Sequence, residues 1–171
     1  YHHIDDNRTA NTALYFDGSS YIILANDPSY DFITGEDFTI EAWVKPTDGS
    51  SPERTIIHTD NSDLQGVVLM WKGSTKLFEY DIGAGSWAAS HASSGHRPDV
   101  WHHVAVNRFN GVIQLLVDGI VMGQDTNTTA TTGDSLHIGG GDNFASFIGF
   151  MDGVRVTKGM PRYTSGIPTD G

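Results

Sequence analysis

Turn-forming dipeptides recur at intervals of about ten residues along the chain, and they constrain its fold more than any other feature. The sequence holds 20 glycines, many of them in Asp-Gly, Asn-Gly or Ser-Gly pairs. Such pairs favour the positive φ angles of tight β-turns. Between them no segment keeps a helical period over three turns, whereas several keep the two-residue alternation of a strand. The sequence therefore predicts many short antiparallel strands.

The clearest strand pattern runs over residues 37–45, and Pro46, which lacks an amide donor, follows it as a stop. Its two faces alternate strictly: Phe38, Ile40, Ala42 and Val44 against Thr39, Glu41, Trp43 and Lys45. A second alternating segment, residues 101–108, leads through Asn110-Gly111 into the apolar run 112–117 and then Asp118-Gly119. Residues 101–125 are therefore predicted to form a three-stranded meander.

Weaker strand patterns complete the chain, at residues 12–16, 21–24, 54–59, 67–72, 76–82, 86–91, 136–139 and 147–157. So many strands in one domain must pack as two sheets face to face. The predicted fold class is an all-β, two-sheet antiparallel sandwich. We expect one domain over residues 1–171, with an N-terminal extension at 1–11 and a C-terminal strap or linker at 162–171.

Composition excludes several classes of function. Ten Lys and Arg against 21 Asp and Glu give a net charge of −11, which disfavours nucleic acid and anionic membranes as partners. The chain has no cysteine, so disulfides and thiolate metal sites are impossible. No apolar run is long enough to span a bilayer, and no signal peptide is expected. The opening Tyr1-His2-His3 is left out of arguments about metals.

Five segments, taken in order, carry a family resemblance. They are residues 13–18 (ALYFDG), 37–46 (DFTIEAWVKP), 101–106 (WHHVAV), 116–119 (LVDG) and 147–156 (FIGFMDGVRV). This set resembles the laminin G-like branch of the concanavalin A-like lectin/glucanase sandwiches. The ending at 154–164 is similar to laminin G-like modules of tailed-phage structural proteins. The resemblance implies a jelly roll with one concave and one convex face.

The resemblance does not by itself give a ligand, because the fold hosts enzymes, lectins and adhesion modules. The family segments, the absence of a catalytic acid pair and the Trp and Tyr content of the middle strands together favour a non-catalytic carbohydrate-binding or adhesion module. We expect it at the surface of a phage particle, in a tail fibre or capsid appendage, with host-surface polysaccharides or glycans and other virion proteins as partners. Two alternatives remain open: a purely structural decoration domain with protein partners only, and a bacterial extracellular adhesion module. The parent protein could also bring copies of the domain together as a homo-oligomer.

Catalysis is not expected. Glucanases of this fold use paired carboxylates two residues apart on one strand, and only Glu79 and Asp81 match that spacing here. The pair lacks the third acidic residue and the aromatic context of the glucanase motif, so a solvated outer strand face is the preferred interpretation. The Ser-His pairs at 90–91 and 94–96 lack a nucleophile elbow.

A zinc site is not expected either. His102 and His103 are adjacent on a predicted strand, so their side chains point to opposite faces and cannot share an ion. We interpret both as hydrogen-bonded residues of the sheet framework. The other histidines show no metal-binding spacing.

Sugar binding needs an aromatic platform beside amide and carboxylate groups. The predicted ligand-binding residues lie on the middle strands and in the loop after Gly139-Gly140-Gly141: Trp71, Tyr80, Trp87, Asp142, Asn143 and Phe144. Core packing is the alternative for Trp71 and Trp87, and it stays open. Trp43 and Trp101 belong to the family framework and are assigned to the core.

The resemblance also implies a structural calcium ion. Relatives of this fold often bind one between the first strand turn and the penultimate strand, and the matching residues are Asp17 and Asp152. Calcium takes about 6–8 oxygen ligands, many of them backbone carbonyls. The alternative is that Asp17-Gly18 is only a turn and that Asp152 bonds backbone amides near a bulge.

Overall fold

A computed structural model describes residues 13–59, 65–84, 87–93, 95–133, 135–141 and 144–164, with the backbone alone at residue 65 and residues 87–90. These ranges contain twelve strands. They are β1 (Leu14–Asp17), β2 (Ile22–Leu24), β3 (Phe38–Pro46), β4 (Arg54–His58), β5 (Gln65–Lys72), β6 (Leu77–Ala84), β7 (Trp87–Ala92), β8 (His102–Phe109), β9 (Val112–Val117), β10 (Ile120–Thr126), β11 (Leu136–Ile138) and β12 (Ile148–Lys158).

The strands form two antiparallel sheets of six strands each. Sheet A has the order β1-β12-β3-β8-β9-β10, and sheet B has the order β2-β11-β4-β5-β6-β7. The predicted meander is confirmed as β8, β9 and β10. Its turns are Asn110-Gly111 and Asp118-Gly119, in which all four residues have positive φ. That conformation matches the twist of the flanking strands, which is why these dipeptides close tight hairpins.

The core lies between the two sheets, and the strand alternation selects its members. Phe38, Ile40, Ala42 and Val44 of β3 are fully buried and face the inward residues of sheet B. Trp43 differs from the prediction. It lies on the outward face of β3, opposite Asp152 and His103, and it is half-buried. Its assignment to the core was therefore wrong, because Trp43 has the same parity as the polar residues of β3.

Helical structure is minimal in the described ranges. It consists of one 3-10 turn, Pro28–Tyr30, whose N-terminus is capped by the Asp27 carboxylate. None of the helical structure described here has the length and apolar character that a membrane span needs.

The segment at 161–164 packs on the outward face of sheet A. Tyr163 is buried there, and its hydroxyl donates a hydrogen bond to the carboxylate of Glu41. Asn107 Nδ2 donates to the Tyr163 carbonyl at 2.8 Å, and Arg162 Nε lies 2.8 Å from Glu41 Oε1. Burial raises the pKa of Glu41, but hydrogen bonds from His103 and Tyr163 outweigh it and hold the pKa below its ordinary value. The chain itself therefore covers the part of this face around Glu41 and Asn107.

Candidate functional site

Two of the predicted platform residues lie in the core. Trp71 and Tyr80 are both 0% exposed and belong to the cluster between the sheets. Trp71 Nε1 donates to the Asp48 carbonyl at 2.8 Å, so its one polar atom is satisfied inside the protein. A ring with no exposed surface cannot stack on a sugar. The prediction that Trp71 and Tyr80 form an exposed platform is therefore wrong.

Other predicted residues fall where the structure gives no side-chain description. Trp87 pairs with Gly83 of β6 through its backbone, but its side chain lies outside the described atoms. Asp142 and Asn143 lie outside the described residues altogether. Sugar binding by these three stays a prediction.

Phe144 lies in the loop after the three glycines, and its binding of a sugar stays a prediction. The loop that carries it turns sharply, with the Phe144 amide donating to the Gly141 carbonyl at 3.2 Å. The half-buried ring packs on the outward face of sheet B, 4.1 Å from the His58 ring between centroids. His58 stands directly opposite His137 in the neighbouring strand, and both are buried. Phe144 therefore covers the His58 ring, whose centroid lies 5.7 Å from that of His137.

The alternation of β6 directs its carboxylates to the same outward face. Phe78, Tyr80 and Ile82 point inward, so Glu79 and Asp81 point outward. Both are half-buried. The register sets Asp81 opposite Val68 of β5, which is opposite His58 of β4. We call the outward residues His58, Lys72, Glu79, Asp81 and Phe144 the front face.

Charge on the front face is unevenly compensated. Lys72 Nζ lies 2.9 Å from Glu79 Oε2 and 3.1 Å from Glu53 Oε1. Burial lowers the pKa of Lys72, but these two carboxylates outweigh it and raise the pKa overall. Asp81 is different, because burial and the neighbouring Glu79 raise its pKa to about 6. The front face thus combines a paired ammonium with a carboxyl group whose pKa is raised to about 6.

This arrangement suits the binding of hydroxyl-rich molecules. Asp81 can donate a hydrogen bond when protonated and accept when ionised, while Lys72 donates and Glu79 accepts. The next residue of the same parity in β6 is Gly83, so the strand offers no third acid there. Phe144 supplies an apolar ring at the margin. Sequence reasoning found the Glu79 and Asp81 pair but gave it no role in binding.

The two predicted calcium ligands do not meet. Asp17 pairs with Ile148, whereas Asp152 lies four residues further along β12, a separation of about 13 Å between backbones. Asp17 Oδ1 accepts hydrogen bonds from Ser19 and Ser20, which lower the pKa of Asp17 to about 2. One ion therefore cannot take both carboxylates. Calcium binding by either residue alone stays a prediction, tested by melting in excess chelator and in millimolar calcium.

A third cluster of titratable side chains was missed by sequence reasoning. His96, His102 and Asp118 place their potential ligand atoms within 4.8 Å of one another. His102 points inward and His103 outward, as predicted for neighbours on a strand. The fold brings His102 to His96 and Asp118 instead, which lie in two separate connecting segments. Spacing along the sequence carried no signal for this contact.

Comparisons with known proteins agree with the fold. Residues 16–160 match the sequence family described as the concanavalin A-like lectin/glucanases superfamily. A search of curated proteins found no match. Domains LG4-5 of the mouse laminin alpha1 chain superpose with a TM-score of 0.64 and 17% identity, covering 91% of this chain and 45% of that one. The chain thus spans less than half of the laminin fragment.

Two bacterial structures are also similar. The CBM40 domain of the Ruminococcus gnavus IT-sialidase, bound to alpha2,3 sialyllactose, has a TM-score of 0.63 and 13% identity over 82% of this chain and 87% of that one. Domain 4 of AbnA, a GH43 extracellular arabinanase of Geobacillus stearothermophilus in complex with arabinotriose, has a TM-score of 0.65 and 20% identity. The match covers 86% of this chain and 70% of that one. At such identities the likeness establishes the fold alone.

Proposed function

Because the chain belongs to the concanavalin A-like lectin/glucanases superfamily, we propose that it is a carbohydrate-binding module without catalytic activity. The front face is the proposed binding surface. Sialyllactose and arabinotriose are bound by two of the similar bacterial domains, which supports an oligosaccharide as the ligand class here.

One observation carries the choice of surface. Asp81 is half-buried on the outward face of sheet B, with its pKa raised to about 6. Above that pH its charge opposes folding, so the residue is unfavourable for stability where it stands. Groups of this kind concentrate at functional sites, where binding compensates for lost stability. Lys72 and Glu79 place further hydrogen-bonding groups beside it.

Replacement of Asp81 by asparagine should weaken glycan binding by about ten- to a hundredfold, because one hydrogen bond to a charged group is lost. A glycan array with the domain fused to a multimerising tag identifies the ligand. Isothermal titration of wild type and Asp81→Asn then measures the change. Equal affinity of the two proteins would exclude the front face, and an array with no binding at high ligand density would exclude a lectin.

Asp81→Asn should also raise the free energy of unfolding at pH 7 by about 1–2 kcal/mol, a value discounted for the partial solvent exposure of Asp81. The pKa of Asp81 is raised in the folded protein. Its contribution to the free energy of unfolding is therefore fully present below about pH 4 and is lost as the pH rises through about 6. The advantage of Asp81→Asn should therefore be absent at pH 3.5 and complete at pH 7.

Denaturant unfolding at several pH values measures this. Asp27→Asn is the matched control, because hydrogen bonds at its exposed cap position lower the pKa of Asp27. It should give no gain at pH 7. A gain of the same size from both substitutions would point to net charge rather than to the environment of Asp81.

We place the module at the surface of a tailed-phage particle, where it recognises glycans of the host. The resemblance of residues 154–164 to phage modules supports this setting. Display in many copies would turn weak single contacts into strong attachment. Binding of the multimer but not the monomer to cells of a susceptible host is the expected result.

A structural domain with protein partners is the second candidate. It is favoured by β2, an edge strand of sheet B whose Ile22, Ile23 and Leu24 are 39%, 48% and 41% exposed. Exposed apolar edge strands commonly pair with another chain. A glycan-free pull-down that recovers another protein of the same particle would favour this function.

A further inference from the structure

Three side chains from three segments converge at one end of the core. His102 is the first residue of β8, Asp118 lies in the turn between β9 and β10, and His96 lies in the segment before β8. His102 is buried and the other two are half-buried, so the cluster has one side open to solvent. This cluster has no part in the proposed glycan surface.

The contacts of His102 leave a lone pair facing a carboxylate. Its Nε2 lies 3.1 Å from the Arg97 carbonyl, which can only accept, so Nε2 carries a hydrogen. In the neutral ring Nδ1 is then an acceptor, and it lies 2.8 Å from Asp118 Oδ2. Two acceptors at this distance need a proton or a cation between them. A backbone carbonyl bonded to the far nitrogen is also the usual way to orient a metal-binding histidine.

His96 is arranged in a similar way. Its Nε2 lies 2.9 Å from Ser93 Oγ, whose own hydrogen is directed to the Phe78 carbonyl at 3.2 Å. Nε2 is therefore the donor, and the lone pair of the neutral ring is on Nδ1.

The surroundings suit a metal ion as well. The Phe78 ring packs against both imidazoles, with centroids 5.2 Å from His96 and 5.5 Å from His102. Asp118 is held by the His103 amide, which donates to Oδ1 at 2.9 Å and leaves Oδ2 directed at the cluster. The potential ligand atoms are within 4.8 Å of one another, somewhat wider than in a tetrahedral site. His96 lies outside the strands, so a small shift of its segment would close the gap.

We propose that His96, His102 and Asp118 bind a divalent transition-metal ion, with Zn²⁺ as the reference. Two imidazole nitrogens and one carboxylate oxygen form a donor set that Zn²⁺ commonly takes, with a fourth position left for solvent. The competing arrangement is a proton shared by His102 and Asp118, for which His96 is not needed. A substitution of His96 therefore distinguishes metal binding from a shared proton.

The test uses the full chain with His2→Ala and His3→Ala, which removes the terminal histidines as a second source of metal binding. Titration with zinc chloride at pH 7.5 should show one ion per chain. Saturation with zinc should raise the melting temperature by about 5–10 °C at a hundredfold excess over Kd, relative to the protein in chelator. Cobalt should give the visible absorption of a low-coordinate nitrogen and oxygen site.

In the same background His96→Ala should lower zinc affinity by at least about a hundredfold, while its melting temperature in chelator stays close to that of the parent. His91→Ala is the matched control, because this half-buried histidine contacts Asp125 at 3.2 Å away from the cluster. It should bind zinc as the parent does. Absence of zinc binding in the parent, or equal affinity in His96→Ala, would overturn the site.

Discussion

Replacement of Arg108 by methionine should lower the free energy of unfolding by at least about 3 kcal/mol. Arg108 is 0% exposed, and its guanidinium donates to three backbone carbonyls, those of Glu36, Thr129 and Ile33, at 2.7, 2.6 and 3.1 Å. It also lies 4.8 Å from the centre of the Phe38 ring. Methionine fills much of the space but cannot donate. The carbonyls of Glu36 and Thr129 then lose this hydrogen bond, at a cost of about 1–3 kcal/mol each, whereas the Ile33 carbonyl keeps the bond from the Glu36 amide.

The loss should be concentrated at the two connecting segments that Arg108 joins. Residues 33–36 and 127–131 both lie outside the strands. Backbone hydrogen bonds between Phe32 and Thr131, and one from the Gly35 amide to the Thr128 carbonyl, also join the two segments. Denaturant titration measures the loss, and hydrogen exchange should show these segments opening first. Arg155→Met is the control, because Arg155 is 49% exposed and makes one long ion pair with Glu41. A similar loss in both variants would contradict this account.

The strand pattern could be predicted from the sequence because local rules decide it. Positive φ at Asn110-Gly111 and Asp118-Gly119 and the alternation of β3 operate within a few residues, and tertiary contacts do not change them. The predicted bounds of the weaker strands differ from the observed ones by a few residues at most. The sandwich then follows, because strands with one apolar face must pack against a second sheet.

Faces were harder to assign than strands. In β5 the residues of both parities are apolar and buried, with Leu69 and Trp71 inward and Val68 and Met70 outward. The alternation of apolar and polar residues therefore could not indicate whether the Trp71 side chain faces inward or outward. In β6 the alternation of apolar and acidic residues does indicate which side chains face inward. Tyr80 has the parity of Phe78 and Ile82 and is opposite in parity to the two carboxylates, which places it inward.

The sites depend on contacts that no local pattern encodes. The burial and the Glu79 charge that raise the pKa of Asp81 depend on where β6 lies in the assembled sheet. The distance between Asp17 and Asp152 follows from the register of β1 on β12, which a family resemblance does not specify. His96 lies close to Asp118 because the turn between β9 and β10 is beside the segment before β8. These are tertiary outcomes, decided by how the strands associate.

Replacement of Trp71 by alanine should lower the free energy of unfolding by about 3–5 kcal/mol, because it opens a cavity between the sheets. The indole is 0% exposed, packs against the Phe78 ring at 4.9 Å and donates to the Asp48 carbonyl. Trp71→Phe keeps most of the apolar volume and loses the hydrogen bond, so about 1–2 kcal/mol is expected. Chemical denaturation followed by far-UV circular dichroism measures both.

The two substitutions of Trp71 also distinguish a core residue from a residue of an exposed binding platform. If Trp71 lies in the core, Trp71→Phe should bind glycans as the wild type does, because the ring at position 71 does not contact the ligand. Tyr15→Ala is the control for loss of an aromatic ring at the surface, because Tyr15 is 57% exposed, and it should cost less than about 1 kcal/mol. If Trp71→Ala were as stable as the wild type and had lost glycan binding, the ring would have to face the ligand, and the assignment of β5 faces would be wrong.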